Sequence, residues 1–266
     1  MADIEKLLAI MRQLRDPDTG CPWDLQQDFS SLLPYTLEEV YEVVDAIERA
    51  DYPHLSEELG DLLFQVVFYA QIGSEQGLFD MQSIIDGIAA KLLIRHPHVF
   101  ARDGNSSEPD MQQLHAAWEK RKQQDRAEKG VDNILGDIPL ALPALQRTEK
   151  IQSRLARARF DWASASEVLA QVRLELDELE HAMQANDPAA CCDELGDVLF
   201  SCINLARHLD VDAETALRSS NRKVSQRIAW MEETLKQRQE QWSDKTLAEL
   251  EVLWESAKQK LKPSIG

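Results

Sequence analysis

The segment Glu57-Glu58-Leu59-Gly60-Asp61-Leu62-Leu63-Phe64 returns 136 residues later as Asp193-Glu194-Leu195-Gly196-Asp197-Val198-Leu199-Phe200. The same offset carries Glu39 to Glu175, Glu42 to Glu178, Trp118 to Trp254 and Lys122 to Lys258. Lys91 and Arg95 recur as Lys223 and Arg227 at an offset of 132, so the flanking loops differ slightly in length. One shared octet is compatible with chance. A series of matched polar positions at one spacing points to duplication of a structural unit. The chain is therefore expected to hold two copies of one domain, residues 1–132 and 144–266. A linker over residues 133–143 contains Gly136, Pro139 and Pro143. At 266 residues, each copy is long enough to bury a core of its own.

The periodicity within each copy is helical. Val40, Val43, Val44 and Ile47 form one apolar stripe, Leu59, Leu62, Leu63, Val66 and Val67 a second, and Leu169, Val172, Leu176 and Leu179 a third. Strand-like alternation is absent, so the fold class is all-α, with roughly five helices per copy. Breakers fall at Asp16–Gln27, Tyr52-Pro53, Gly73–Gly77, His96–Asn105 and Asn186-Asp187-Pro188. Asp187-Pro188 reads as a helix start, with Asp as N-cap and Pro in the first helical position.

Charge and cysteine usage narrow the function. A formal net charge of −18 repels a phosphate backbone, so a nucleic-acid-coating role is not expected. A small phosphorylated substrate remains compatible if cations bring it in. Cys21, Cys191, Cys192 and Cys202 show no regular framework and read as reduced thiols. The N-terminus has no apolar signal core, and the most apolar stretches are too short to span a bilayer. A soluble, cytoplasmic protein without membrane partners is expected.

The candidate chemistry lies in paired acids. Glu39 and Glu42 are spaced i, i+3, as are Glu58 and Asp61, so each pair shares a helix face. Sixteen residues from Glu42 to Glu58 leave room for two turns, a short loop at Tyr52-Pro53 and a returning helix. Glu175, Glu178, Glu194 and Asp197 repeat the arrangement. Isolated Glu-rich faces are usually solvated, but these acids sit beside the apolar stripes, and the set occurs twice. Four converging carboxylates either raise a pKa or require a cation. Oxygen ligands favour Mg²⁺, with Mn²⁺ as a substitute, and such a Mg²⁺ keeps positions for water and phosphates. Gly60 and Gly196 fall mid-helix, where glycine is costly; close helix packing or close approach of a ligand would each explain them.

These residues resemble the MazG family of all-α nucleotide pyrophosphohydrolases. The resemblance rests on Leu37-Glu38-Glu39-Val40-Tyr41-Glu42, the downstream acids followed by Leu-Gly-Asp, Cys21-Pro22-Trp23-Asp24, Arg95-His96-Pro97-His98-Val99-Phe100 and Phe160-Asp161-Trp162. It covers nearly the whole chain in a tandem two-domain form. It implies two helical bundles and Mg²⁺-dependent conversion of NTP and water to NMP and pyrophosphate. The implied metal ligands are Glu39, Glu42, Glu58 and Asp61 in the first copy and Glu175, Glu178, Glu194 and Asp197 in the second. The implied phosphate and nucleotide contacts are Asn221, Lys223, Arg227, Trp254 and Lys258, with Lys91, Arg95, Trp118 and Lys122 as first-copy counterparts. Position suggests Glu38 or Glu175 as general base. The resemblance also implies a homodimer.

The copies are not equivalent. Leu174 replaces Glu38, while Asn221 has Ala89 at the corresponding place. The fuller Asn-x-Lys-x₃-Arg set favours the C-terminal site as the one that turns over. Two other readings stand beside this one. A di-iron bundle would use Glu-x-x-His motifs, matched once at Glu178–His181. An acidic interaction module would tolerate neutralisation of the carboxylates.

Overall fold

A computed structural model describes residues 3–100 and 133–262, and among these every regular element is helical. Tertiary contacts divide the chain into two units, Met1–Lys122 and Gln123–Gly266. The first contains α1 (Ile4–Leu14), α2 (Pro22–Gln26), α3 (Leu33–Glu48), α4 (Tyr52–Glu75), α5 (Met81–Arg95) and α6 (Pro97–Phe100). The second contains α7 (Ala144–Arg157), α8 (Ala165–Gln184), α9 (Pro188–His208), α10 (Ala213–Gln237), a 3₁₀ turn (Trp242–Asp244) and α11 (Leu247–Lys260). Trp118 and Lys122 lie outside the described residues. No described helix is long and apolar enough to cross a membrane.

Each unit is organised around a helical hairpin, α3–α4 or α8–α9. Three residues connect the helices in both cases, which favours antiparallel neighbours. The turns are built alike. Asp51 N–H returns to the Ala46 carbonyl and Asp187 N–H to that of Ala182, each at 3.0–3.2 Å. One residue in each turn is left-handed, Ala50 at φ 55° and Asn186 at φ 52°. Asparagine tolerates that region better than alanine. Asp187 caps α9 by accepting from the N–H groups of Ala189 and Ala190, with Pro188 in the first turn as expected. Asp51 does the same for α4 through His54 N–H.

Two breakers read differently in three dimensions. Tyr52-Pro53 is the first turn of α4, not a loop, because a helix's first N–H groups have no internal acceptor and proline costs nothing there. Gly73 lies inside α4, where a Cβ would stand 2.6 Å from the Phe79 ring, so its role is close packing. The segment read as a linker is itself packed: Ile138 is buried, and Asp137 pairs with Arg154 of α7 at 2.6 Å.

The core of the first unit joins Met11, Leu32, Val67, Phe68 and Ile72, packed by Leu7, Phe29, Phe64 and Met81. In the second unit Met231, Leu235, Leu253 and Ala257 seal α10 against α11. Burial of this kind is worth about 25 cal/mol per Å² of apolar area and drives both clusters together.

Candidate functional site

The hairpins bring the predicted acids together. One carboxylate oxygen from each of Glu39, Glu42 and Glu58 lies within 4.8 Å of the others. Glu175, Glu194 and Asp197 form the matching group in the second unit, within the same limit. Asp61 and Glu178, the fourth members, are close enough to act electrostatically on their neighbours.

The surroundings charge these groups unfavourably. Burial raises the Glu39 pKa above its ordinary value, and Asp61, Glu42, Glu58 and Glu38 add to the rise. Burial and the negative charge of Glu42 push Glu58 upward, opposed by His54, whose Nε2 stands 3.0 Å from it. Burial raises Glu194 likewise, reinforced by Glu178, Asp197, Asp193 and Glu175. Such repulsion is relieved by a proton or by a cation among the oxygens. An all-carboxylate donor set at this spacing fits a hard divalent ion, since Mg²⁺–oxygen distances of about 2.1 Å place ligand oxygens roughly 3–4 Å apart. His181 is exposed and does not join the clustered acids, so the di-iron motif is not assembled.

Second-unit residues add detail that spacing did not suggest. Gln171, one turn before Glu175, donates to its carboxylate at 2.7 Å. Asp161 accepts from Arg207 at 2.5 Å and lies 3.2 Å from His208 Nε2, tying the segment before α8 to the end of α9. Burial alone would raise the Asp161 pKa, but the Arg207 and His208 contacts overcome it and hold the group below its usual value. The corresponding clasp in the first unit is Arg15. It pairs with Glu75 at 2.7 Å and donates to the Asp24 and Gln27 carbonyls. Neither clasp has a local sequence signature, because partners 46 and 60 residues apart meet only after folding.

The predicted substrate contacts are placed less uniformly. Arg227 and Trp254 meet, with the guanidinium carbon 5.1 Å from the ring centroid, and Trp254 packs on the α10–α11 core. Lys258 pairs with Glu255 at 2.7 Å. Asn221 and Lys223 are exposed on α10, Lys91 is exposed on α5, and Arg95 is half-buried at its end. Glu38 is exposed beside Glu39. A Cβ at Gly60 or Gly196 would meet no described atom within 4 Å, so packing inside a unit does not explain either glycine.

A model of the MazG nucleotide pyrophosphohydrolase domain matches residues 27–100 and 164–231, one segment over each carboxylate hairpin. The chain is 46% identical over 260 residues to the nucleoside triphosphate pyrophosphohydrolase of Escherichia coli, covering 97% of this chain and 98% of that protein. It is 40% identical over 254 residues to the nucleoside triphosphate pyrophosphohydrolase/pyrophosphatase MazG of Thermotoga maritima, covering 96% and 95%. With two matched segments, near-complete coverage and the acid hairpin in duplicate, the chain belongs to the MazG nucleotide pyrophosphohydrolase family.

Proposed function

We infer that this chain is a nucleoside triphosphate pyrophosphohydrolase, converting NTP and water to NMP and pyrophosphate. The observation that carries this reading is the pair of carboxylate clusters, in which burial and neighbouring negative charge raise the pKa of Glu39, Glu58 and Glu194 and favour a cation among the oxygens. Glu175, Glu178, Glu194 and Asp197 would hold Mg²⁺ in the second unit, and Glu39, Glu42, Glu58 and Asp61 in the first. Bound there, Mg²⁺ would supply charge neutralisation at the phosphates and lower the pKa of a water. Glu175 in the second unit, or Glu38 in the first, accepts a proton from the water that attacks the α-phosphorus. Gln171 fixes the Glu175 carboxylate for that task. Lys223, Arg227 and Lys258 bind phosphate oxygens, with Trp254 beside the nucleotide and Asn221 next to the cationic row. Lys91, Arg95, Trp118 and Lys122 are the first-copy counterparts. The copies correspond to residues 1–132 and 144–266, joined by 133–143, in a cytoplasmic enzyme.

The same reading includes a homodimer. Leu33, Val40 and Ile47 recur every seven residues along α3 and are exposed, as are Leu169, Met183 and Leu176 along α8. Leu59 and Leu63, and their counterparts Leu195 and Leu199, are also exposed. Two helices with such faces are half of a bundle, and a second copy would cover them. Light scattering coupled to size-exclusion chromatography, if it gave a clean monomer, would remove this part.

The direct test of the reaction is a panel of NTPs incubated with Mg²⁺ or EDTA, with products separated by anion exchange. NMP and pyrophosphate appearing only with metal is the expected result. NDP and inorganic phosphate would move the cleaved bond, and no turnover by folded, metal-loaded protein would overturn the reading.

A further inference from the structure

Several aromatic rings of the first unit pack on one another, Phe29 against Tyr69 and Phe79, and Phe64 against Phe68, while Trp23, Tyr35, Tyr41, Tyr52 and Phe100 are exposed. Of these exposed rings, Trp23 and Tyr35 meet as a pair. Their rings meet edge to face at 5.7 Å and 77°, which leaves ring faces free, and they remain 48% and 39% exposed. The short helix that carries Trp23 is tied to α1, since Arg15 donates to the carbonyls of Asp24 within it and Gln27 at its C-terminal end. Tyr35 lies four residues before Glu39 and seven before Glu42 on α3, which places all three on one flank of the helix. Four residues advance a helix by about 6 Å. A nucleotide with its phosphates at the carboxylates would carry its base about one to two turns away, where the aromatic pair stands.

We propose that Trp23 and Tyr35 form the base-binding wall of a nucleotide site in the first unit, whose phosphates are held at Glu39, Glu42 and Glu58. This rests on the reading of those carboxylates as a metal and phosphate site. Stacking accepts any base, because every base has a π-face, so this copy binds purine and pyrimidine nucleotides alike. The second unit differs at the matching position. Gln171 replaces Tyr35 and spends its amide on Glu175, while Trp162 is 38% exposed with no stacked partner at residue 171.

The test uses the full chain carrying Glu178→Gln and Glu194→Gln, so that only the first site is intact. Binding of the α,β-methylene analogues of ATP and CTP is compared with that of inorganic tripolyphosphate, by calorimetry in Mg²⁺. Each nucleotide should bind roughly ten-fold tighter than tripolyphosphate, the usual worth of one stacked base. Trp23→Ala and Tyr35→Ala should each reduce that ratio towards one, and Trp23→Phe should restore most of it. Thermal melts of the variants should match the parent, since both side chains are half exposed. Equal binding of nucleotide and tripolyphosphate in the parent overturns the aromatic wall and leaves the phosphate site standing. Binding of neither ligand, with Glu42→Gln indistinguishable from the parent, overturns the metal and phosphate reading of this copy and the wall with it.

Discussion

In the first unit the second half of α4 is apolar: Val67, Phe68 and Ile72 close on Met11 of α1. In the second unit the matching stretch of α9 is more polar. Asn204 stands where the first copy has Phe68, Arg207 for Gln71 and His208 for Ile72. Asn204 is buried and accepts from Arg207, which also holds Asp161, while Gln152 of α7 donates to the Phe200 carbonyl at 2.8 Å. The second hairpin thus adds buried directional hydrogen bonds to the burial of Val168, Val172, Val198 and Ile203, where the first has a larger apolar cluster. Burial gives stability with some latitude in position; buried hydrogen bonds are stricter about geometry. The acids diverged less than their supports, which is the pattern expected if the cluster, rather than the core around it, is what both copies must keep.

The contrast between the two supports is most exposed to truncation. Phe68→Ala should cost about 3–5 kcal/mol in urea unfolding, because it opens a cavity in a dense cluster. Asn204→Leu should cost less in stability but leave the Arg207 side chain short of a partner, lowering activity more than Phe68→Leu does. Equal effects of the two substitutions would dissolve the distinction.

A second comparison concerns turnover. Glu194→Gln should lower kcat by about 10²–10³-fold, because losing this ligand's charge weakens the hold on the Mg²⁺ that would offset charge at the phosphates. Glu58→Gln should leave most activity in place, since the Asn221–Lys223–Arg227 set lies in the second unit. Loss of activity in Glu58→Gln alone would reverse the assignment.

The acid clusters also set a pH dependence. Glu39, Glu58 and Glu194 have folded pKa values above their unfolded ones, so the folded state binds protons more tightly. Without metal these groups destabilise the fold at neutral pH, and stability recovers as pH falls through their folded values. Asp161 and Glu75 behave oppositely: their contribution is present above the ordinary carboxylate range and is lost below it. The rise in Tm on adding Mg²⁺ should therefore be largest near neutrality and fade on acidification. Glu58→Gln should remove the first unit's share. A Mg²⁺ effect independent of pH would sever the link between the raised pKa values and metal binding.

The smallest effect expected is at the glycines. Gly60→Ala and Gly196→Ala should each stabilise the metal-free chain by up to about 1 kcal/mol, since alanine is the better helix former and a Cβ meets no described atom. If a ligand or a second copy approaches those faces, nucleotide affinity or assembly falls even as the helix gains. Comparing the two variants shows which copy is approached.

Much of the hairpin was legible because its signals are local. Asp187-Pro188 announces a helix start through two adjacent residues, and the i, i+3 acids share a face by helix geometry alone. Tyr52-Pro53 misled because proline marks a loop and a first helical turn equally well, and Asp51 one residue earlier decides between them. The apolar stripes were found, but not their fate. Val67 and Val172 are buried, while Leu59, Leu63 and Leu176 on the same stripes remain exposed within the described units.

The sequence by itself carried the internal repeat, the helical class and the acids Glu39, Glu42, Glu58, Glu175, Glu194 and Asp197 that the hairpins bring into two groups, because each depends on identity and on spacing within a helix. Only the tertiary structure decided which three acids of each four stand closest, that Arg227 lies against Trp254, and that Arg15 and Arg207 clasp the hairpin ends. Those are contacts between elements far apart in the chain, and periodicity along one helix carries no record of what another helix will bring to it.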